Sequence, residues 1–542
     1  MSWTQVYDPM QNLAFSSLLA AIPIIVIFYL LAVRRTPGHI AGAIALVSAV
    51  TVAIFAYGMP AELAITAAGM GALYGIFPIF WIVITAIFIY NLTVVTGQFQ
   101  IIKESIATIT DDHRLQALLI AFGFGAFLEG AAGFGTPVAI SAGMLVGLGF
   151  NPLYAAGLCL IANTVPVAFG GIGLPIIVVS QITGLDTIKV SSMVGRQLPI
   201  LSIIIPIWLV VLMSGWKAAK EVLPACLVTG LSFAGVQWIS SNYIGPELPD
   251  ILSSLACIIS LTIFLKYWKP ATIWRFKNEP APTFIADKTV LTFGKVLKAW
   301  SPFIILTVMI ILWGLQPVAA VLDSVTLKWL VPGLDKLVVQ VAPIAKQPVA
   351  LIALYKFNWL SAAGTALFIA GILTAVVLGV GPGSFISIFA RSFRQLLKPL
   401  VTIPCVLGLA YVMNYSGMSS TLGLFLAGSG ALFPFFSPFL GWLGVFLTGS
   451  DTSANALFGN LQSVTGQQVG IDPILAVAGN SSGGVCGKMI SPQSIAVATA
   501  ATGLVGKEGD LFSFTVKHSL ALAVLIGLIT YIQAYWLKWM IP

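Results

Sequence analysis

Three charged residues interrupt apolar stretches of the sequence, and they are the first candidates for chemistry. Glu129 lies in LEGAAGFGTP (128–137), Asp451 in LTGSDTSAN (447–455) and Lys488 in GNSSGGVCGKMISP (479–492). A carboxyl group in an apolar setting can be neutral or ionised, and an ammonium group can attract an anion. Because an unpaired charge is costly away from water, ionisable residues at these positions predict a functional site.

Small polar residues and glycines accompany the three charges. Thr136 followed by Pro137 is a favourable N-cap and first-turn pair, so a helix should begin there with free N–H groups and the positive end of its dipole directed at a ligand. Glycine also occurs in membrane helices simply because it permits close packing, but here it is concentrated with Asn, Ser and Thr. The predicted substrate-binding residues, besides Lys488, are Gly133, Gly135, Thr136, Asn163, Thr164, Ser450, Thr452, Ser453, Asn455, Asn480, Ser481 and Ser482.

The composition places these residues in a membrane protein. Of the 542 residues, 58% are hydrophobic and only 8% are charged, which does not fit one core with a water-facing surface. The net charge of +8 is interpreted as a sign of topology rather than of nucleic-acid binding. The five cysteines lie in apolar stretches without metal or redox spacing and are interpreted as small buried hydrophobic residues.

The sequence predicts an all-α polytopic membrane protein with about 12 transmembrane helices and two re-entrant hairpins. The predicted spans are residues 13–33, 38–58, 61–97, 153–183, 198–214, 222–240, 249–266, 299–317, 360–380, 399–415, 472–503 and 513–536, and the predicted hairpins are 115–150 and 432–464. With the N-terminus outside, 18 of the 26 Lys and Arg are cytoplasmic, 7 are outside and Lys488 is within the membrane. This asymmetry supports the orientation.

Two related segments predict an internal repeat. NTVPVAFGGIGLP (163–175) and NSSGGVCGKMISP (480–492) share Asn and Pro at the same spacing, and each follows a predicted hairpin. Each is expected to be an unwound segment within a broken helix, 153–183 in the first half and 472–503 in the second. The hairpins enter from opposite sides in the predicted topology, so the repeats are inverted, an arrangement typical of secondary carriers with a substrate site near the midplane. The predicted organisation is an N-terminal half (1–266), a cytoplasmic linker (267–298) and a C-terminal half (299–542).

Two long motifs resemble those of the lactate permease family, which includes lactate and glycolate permeases. They are LEGAAGFGTPVAISAGMLVGLGFNP (128–152) and GNSSGGVCGKMISPQSIAVATAATG (479–503), and the similarity extends over essentially the whole chain. The resemblance implies electroneutral uptake of L-lactate, D-lactate or glycolate with a proton, across the inner membrane of a bacterium. More distantly, the paired hairpins resemble the ion-transporter superfamily of carboxylate carriers, which implies an elevator-type movement.

Such a carrier needs a cradle for the substrate carboxylate and a group that can release a proton. Glu129 is the expected proton carrier because its small apolar neighbours cannot pair with its charge, although it could instead be a structural partner of the hairpin tip. Lys488 is expected to attract the substrate carboxylate, or else to form a permanent pair with Asp451. Asp451 itself either pairs with Lys488 or takes the proton.

Other classes of protein fit the sequence less well. His39, His113 and His518 are far apart, no HExxH motif occurs, and no GK[ST] phosphate loop is present, so neither an enzyme nor an ATP-driven pump is expected, and no cofactor is predicted. The nearest alternative is a sodium-coupled carboxylate carrier, since unwound carbonyl groups beside Asn, Ser and Thr are suitable sodium ligands.

Overall fold

The chain forms a mainly helical membrane protein. The computed structural model describes residues 2–34, 36–133, 136–276 and 292–542. Within them, 11 helices are long and apolar enough to cross a membrane, or 12 if one bent pair counts as a single span. This confirms the prediction of an all-α polytopic membrane protein. Residues 277–291 of the predicted linker 267–298 lie outside the described residues, and so does Gly135.

The helices of the first half follow the apolar runs, and four of them begin at a polar side chain that caps the first turn. For example, the Asn151 side chain accepts a hydrogen bond from the Leu153 N–H, directly before the helix that starts at Pro152. The helices are α1 (Leu13–Phe28), α2 (Gly38–Phe55), α3 (Ala61–Tyr74), α4 (Trp81–Val95), α5 (Gln98–Ala107), α6 (His113–Gln116), α7 (Gly125–Ala131), α8 (Thr136–Gly147), α9 (Pro152–Ala162), α10 (Gly170–Thr183), α11 (Thr187–Glu221), α12 (Leu223–Tyr243) and α13 (Pro249–Tyr267). A π-helical segment, Ala117–Phe124, joins α6 to α7.

The second half contains further helices and two small sheets. The helices are α14 (Phe293–Gly314), α15 (Gln316–Asp323), α16 (Ala363–Leu378), α17 (Pro382–Gln395), α18 (Leu397–Ser416), α19 (Met418–Ala427), α20 (Phe433–Thr448), α21 (Asp451–Val469), α22 (Pro473–Lys488), α23 (Pro492–Thr502) and α24 (Glu508–Tyr535). One sheet has the order β1 (Trp3–Thr4), β3 (Val338–Gln340), β4 (Val349–Ala350), and the other pairs β2 (Leu327–Leu330) with β5 (Leu354–Phe357). The sequence analysis did not predict these strands or the helices α15, α17 and α19.

Helix α11 is much longer than the predicted span 198–214. Its first turns contain polar residues, and from their hydropathy this segment is expected to lie in water. In the structure, these side chains find hydrogen-bond partners inside the protein. The Gln197 amide donates to Gln533 of α24 at 2.9 Å, and the Arg196 guanidinium donates to the carbonyl of Met540 at 2.6 Å. Because partners from distant helices replace water, the helix continues through this polar stretch.

Several helices break close to one another in space, and these breaks create the site. Helix α7 ends at Ala131 and α8 begins at Thr136, while Gly449 adopts a left-handed conformation between α20 and α21. The break between α9 and α10 bends the chain by 63°. Within α10, the residues Gly171, Ile172 and Gly173 have φ angles of 54°, 62° and 70°, so the regular helix starts only after them. A β-branched residue such as Ile172 rarely adopts this conformation.

The second motif is not unwound where the sequence analysis predicted it to be. Residues 480–482 lie in the middle of α22, which stays helical until Lys488, and the chain breaks only at 489–491 before α23. The glycines of this motif serve close packing against α20 instead. A Cβ atom on Gly483 would overlap the Pro438 carbonyl, and one on Gly487 would overlap the Trp442 carbonyl. The prediction of an unwound segment was therefore wrong for residues 480–488, because small residues here bring two helix backbones together.

Candidate substrate-binding site

The helix breaks enclose a small cavity of about 70 Å³. It is lined by Glu129, Gly133, Val167, Gly170, Gly171, Leu174, Pro175, Gly449, Ser450, Asp451, Thr452, Lys488 and Gln493. Its walls thus come from α7, from the left-handed start of α10, from the turn before α21 and from the α22–α23 break. This volume is roughly that of five to seven buried waters, which limits any occupant to a few non-hydrogen atoms.

Glu129 forms one wall of the cavity and is only 4% exposed. Its carboxyl group packs against backbone, since a Cβ atom on Gly170 would lie 2.7 Å from Oε1. Its Oε2 atom has no hydrogen-bond partner in the described part of the chain. The Asn163 amide lies beside Glu129 and interacts with its carboxyl group, but no hydrogen bond within 3.5 Å joins the two side chains. Glu129 and Asn163 therefore leave hydrogen-bonding capacity unused next to the cavity.

Lys488 reaches the cavity from the last turn of α22. Its ammonium group is 8% exposed and donates to the carbonyl of Gly449 at 2.7 Å. Among the described residues, no carboxylate oxygen lies within 4.0 Å of it, so the permanent ion pair with Asp451 is not formed in this structure. Lys488 nevertheless acts electrostatically on both Glu129 and Asp451. The ammonium group keeps donor capacity that a bound anion can use.

Asp451 is held by the polar core behind the cavity. Its Oδ2 atom accepts from the Ser481 hydroxyl at 2.7 Å and from the Asn455 amide at 3.4 Å, while Oδ1 has no described partner. The network continues beyond Asn455. The Asn480 amide N–H donates to the Asn455 amide oxygen at 2.8 Å, and the Gln462 amide N–H donates to the Asn480 amide oxygen at 3.1 Å. These side chains hold the Asp451 carboxyl group in one orientation, because each of them is hydrogen-bonded to the next one in the network.

The N-terminus of α21 faces the cavity. Ser450 caps this helix by accepting from the Ser453 N–H at 3.2 Å. The N–H groups of the first helical turn have no partner within their own helix, and they carry the positive end of the helix dipole. Together with the nearby Lys488 ammonium group, this end of α21 is suited to bind a carboxylate.

The structure brings together only part of the predicted set. Six predicted residues line the cavity: Glu129, Gly133, Ser450, Asp451, Thr452 and Lys488. Seven others are not among its lining residues: Asn163, Thr164, Ser453, Asn455, Asn480, Ser481 and Ser482. Asn455, Asn480 and Ser481 bond to protein groups, which explains why they do not face the cavity. Gly135 and the side chain of Thr136 lie outside what the structure describes.

Two polar residues near the cavity were missed by the sequence analysis. Gln493 lines the cavity directly after Pro492, and the SPQ sequence at a helix start was the available signal. Asp250 lies behind Glu129, in the first turn of α13, and is 1% exposed. The predicted span 249–266 put Asp250 at the outer membrane surface, where an acidic residue is ordinary. The available signal was its position directly after the second of two prolines and before a Ser-rich apolar helix.

Comparison with known proteins identifies the family. Residues 16–537 match the family described as L-lactate permease. The chain belongs to this family. It is 54% identical to "Glycolate permease GlcA" of Escherichia coli (strain K12), over 99% of this chain and 98% of that protein. It is 53% identical to "L-lactate permease" of Bacillus subtilis (strain 168) and 52% identical to "L-lactate permease" of Escherichia coli (strain K12), in both cases over 100% of each chain.

Membership of the L-lactate permease family confirms the resemblance drawn from the two motifs. The relatives are named as permeases, so at the level of the family this chain belongs with transporters rather than with enzymes. The many apolar helices agree with that assignment to a multi-pass membrane protein.

Proposed function

We propose that this chain is a secondary transporter that carries L-lactate and the related 2-hydroxymonocarboxylates D-lactate and glycolate into the cell, each together with a proton. We propose that it lies in the inner membrane of a bacterium, because the relatives named above come from bacteria. Lactate has six non-hydrogen atoms and glycolate five, which suits a cavity of about 70 Å³.

The observation that carries the proposal is the position of the Lys488 ammonium group. It lies at the cavity, donates to one carbonyl, and has no carboxylate within 4.0 Å in the described part of the chain. A substrate carboxylate placed between Lys488 and the N-terminus of α21 gains a positive partner and helix N–H groups. Among the described residues that line the cavity, Lys488 is the one Lys or Arg, so a second carboxylate would lack a positive partner there, which favours monocarboxylates.

The charges around the cavity favour coupling to one proton. With Glu129, Asp451 and Lys488 ionised, two carboxylates and one ammonium give a formal charge of −1, and a bound monocarboxylate makes it −2. Protonation of one carboxyl group restores −1, so that the charge inside the protein is the same with and without cargo. Keeping this charge constant avoids the cost of adding an uncompensated anion to a buried site. Glu129 is the proposed proton carrier because its Oε2 atom lacks a described partner, whereas Asp451 is held by Ser481 and Asn455.

The proposed movement follows from the two halves of the chain. We propose that residues 1–266 and 299–542 contain inverted repeats, joined by the linker 267–298, and that an elevator-type movement exposes the site to each side in turn. The helix breaks between α7 and α8, within α10, between α20 and α21 and between α22 and α23 support this, since paired discontinuous helices at one site are typical of such carriers.

Transport into proteoliposomes tests the proposal. Purified protein is reconstituted, and uptake of labelled L-lactate, D-lactate and glycolate is measured with an inward proton gradient or an inward sodium gradient, each imposed alone. Proton-driven accumulation of these acids, with no response to sodium, is the expected result. Accumulation that follows the sodium gradient alone would establish the sodium-coupled alternative instead. Uptake of succinate at the same rate as lactate would contradict the single-cation argument.

A further inference from the structure

Asp250 is a buried carboxyl group that does not line the substrate cavity. It lies in the first turn of α13, where a Cβ atom on Gly130 would come within 2.7 Å of the Asp250 Cβ atom. Asp250 thus packs against the residue next to Glu129, on α7. It is 1% exposed, and neither of its carboxyl oxygens has a hydrogen-bond partner among the described residues. A buried carboxyl group without partners is rare and calls for a functional explanation.

A purely structural role does not account for Asp250. Acidic residues in the first turn of a helix commonly accept hydrogen bonds from free backbone N–H groups or interact with the helix dipole at the surface. Asp250 accepts no such bond in the described structure, and it is enclosed by protein. It also forms no salt bridge among the residues that the structure describes.

Glu129 is the charged group that faces Asp250. Helix α13 packs against α12, α7 and the π-helical segment Ala117–Phe124. Neither α12 nor that segment contains an Asp, Glu, Lys, Arg or His residue, and α7 contributes Glu129 alone. The electrostatic interaction of Asp250 is accordingly with Glu129. Two neighbouring carboxyl groups in one apolar environment are rarely ionised at the same time, because their negative charges repel each other. One of the two therefore keeps a proton, and this proton can pass from one group to the other.

A third carboxyl group lies close to Asp250 in the sequence and lines a larger cavity. Glu247 lies three residues before Asp250 and lines a cavity of about 370 Å³, together with Thr187, Trp313, Asn358 and Ser361. The loop that carries Glu247 is held tightly, since a Cβ atom on Gly173 would overlap the Pro246 carbonyl. Desolvation in this loop raises the pKa of Glu247 to about 7. Glu247 therefore exchanges protons readily near neutral pH.

We propose that Asp250 is a proton relay between Glu129, at the substrate cavity, and the cavity lined by Glu247. This inference rests on the proposed proton coupling and deepens it. The Asp250 carboxylic acid gives its proton to the Glu129 carboxylate and becomes a carboxylate. The Glu247 carboxylic acid then gives its proton to the Asp250 carboxylate, and the Glu247 carboxylate that remains takes up a proton from the water of the cavity that it lines. Glu129 releases its proton when the substrate leaves, so that protons and charge balance over one cycle.

The test compares two transport modes of Asp250→Asn in proteoliposomes. Counterflow exchanges internal for external lactate without net proton movement, whereas uptake driven by a proton gradient needs protonation and deprotonation. We expect the initial rate of gradient-driven uptake to fall about tenfold or more, with counterflow unchanged within about twofold. The exposed acidic residue of α3 provides a matched control, and Glu62→Gln should leave both modes unchanged.

The outcomes separate the relay from the proposed function. If the unaltered protein ignores the proton gradient, the proposed coupling fails, and the relay fails with it. If the unaltered protein responds but Asp250→Asn accumulates lactate at the normal rate, the relay alone is overturned. Should Asp250→Asn not fold, Glu247→Gln decides: we expect half-maximal uptake to require a lower external pH, with an unchanged KM for lactate in counterflow. An unchanged pH profile of Glu247→Gln would overturn the relay.

Discussion

Lys488 donates its ammonium proton to the carbonyl of Gly449 at 2.7 Å, and not to the carboxylate of Asp451. A lysine that pairs with a carbonyl keeps its full positive charge available for an incoming anion. Asp451 meanwhile is bound by Ser481 and Asn455, so the two charges attract each other without direct contact. This arrangement leaves a place for the substrate carboxylate beside Lys488.

The first prediction concerns Lys488 itself. Lys488→Met keeps the length of the side chain but removes its charge, so the substrate carboxylate would lose its positive partner in a buried site. We expect a rise in KM for lactate of about tenfold or more, because a charge-assisted hydrogen bond contributes about 1.5–3 kcal/mol. Lys507→Met, at an exposed position before α24, is the control. Uptake by Lys488→Met with a normal KM would remove Lys488 from the site.

The second prediction separates coupling from binding. Glu129→Gln mimics the protonated acid but cannot release a proton, so proton-driven accumulation should be lost while lactate counterflow survives. Asp451→Asn should instead weaken lactate binding through its effect on Lys488. Both variants are compared in lactate-loaded proteoliposomes. Normal accumulation by Glu129→Gln, with counterflow alone in Asp451→Asn, would move the proton site to Asp451.

The third prediction concerns the packing of α22 against α20. A Cβ atom on Gly483 would overlap the backbone carbonyl of Pro438, which cannot move independently of its helix. Gly483→Ala should therefore destabilise the protein by about 1–3 kcal/mol, measured as a lower Tm in detergent. Gly69→Ala is the matched control, because nothing lies within 4 Å of a Cβ atom at that position. Equal Tm values for both variants would contradict the described packing.

The fourth prediction concerns a buried ion-pair cluster below the first hairpin. Arg114 is 0% exposed and contacts Asp112 at 2.7 Å and Glu221 at 2.9 Å. Arg114→Met would leave Asp112 buried without its partner, which should cost about 3–5 kcal/mol of stability. Thermal unfolding in detergent measures this effect, with the exposed Arg391→Met as control. A loss of transport without any fall in Tm would show that Arg114 has a role other than stability.

The fifth prediction tests the orientation in the membrane. Arg394 lies near the end of α17 on the predicted cytoplasmic side, and Ser324 follows α15 on the predicted outer side. A cysteine in place of Arg394 should be protected from an impermeant thiol reagent in intact cells, whereas one in place of Ser324 should react. The reverse pattern would invert the topology derived from the Lys and Arg distribution.

The membrane helices and the three charged residues at the cavity were predicted from the sequence more accurately than the roles of the small polar residues in the two motifs. Glu129, Asp451 and Lys488 were identifiable because an ionisable residue in an apolar run is conspicuous. Asn480 and Ser481 were interpreted as substrate ligands, although a polar side chain can equally bond to a neighbouring helix, and here they bond to Asn455 and Asp451. Only the three-dimensional packing distinguishes these two cases.

Long-range contacts explain the other differences. The extended start of α11 depends on Gln533 and Met540, which are more than 300 residues away in the chain, so no local pattern indicates it. Asp250 was missed for the same reason, because its burial depends on α7 packing against α13 at Gly130. A sequence shows which residues are polar, whereas tertiary contacts decide which of them meet water, protein or ligand.

The central claim is that one lactate enters with one proton, and the most direct test measures both together. Proteoliposomes containing an internal pH indicator are given external labelled L-lactate with the membrane potential clamped. We expect internal acidification that is equal to the lactate taken up, and no net current. At a lactate concentration near the KM of the unaltered protein, Lys488→Met should acidify the vesicles far less, in line with its raised KM. Lactate uptake by the protein without acidification, or accompanied by current, would contradict it.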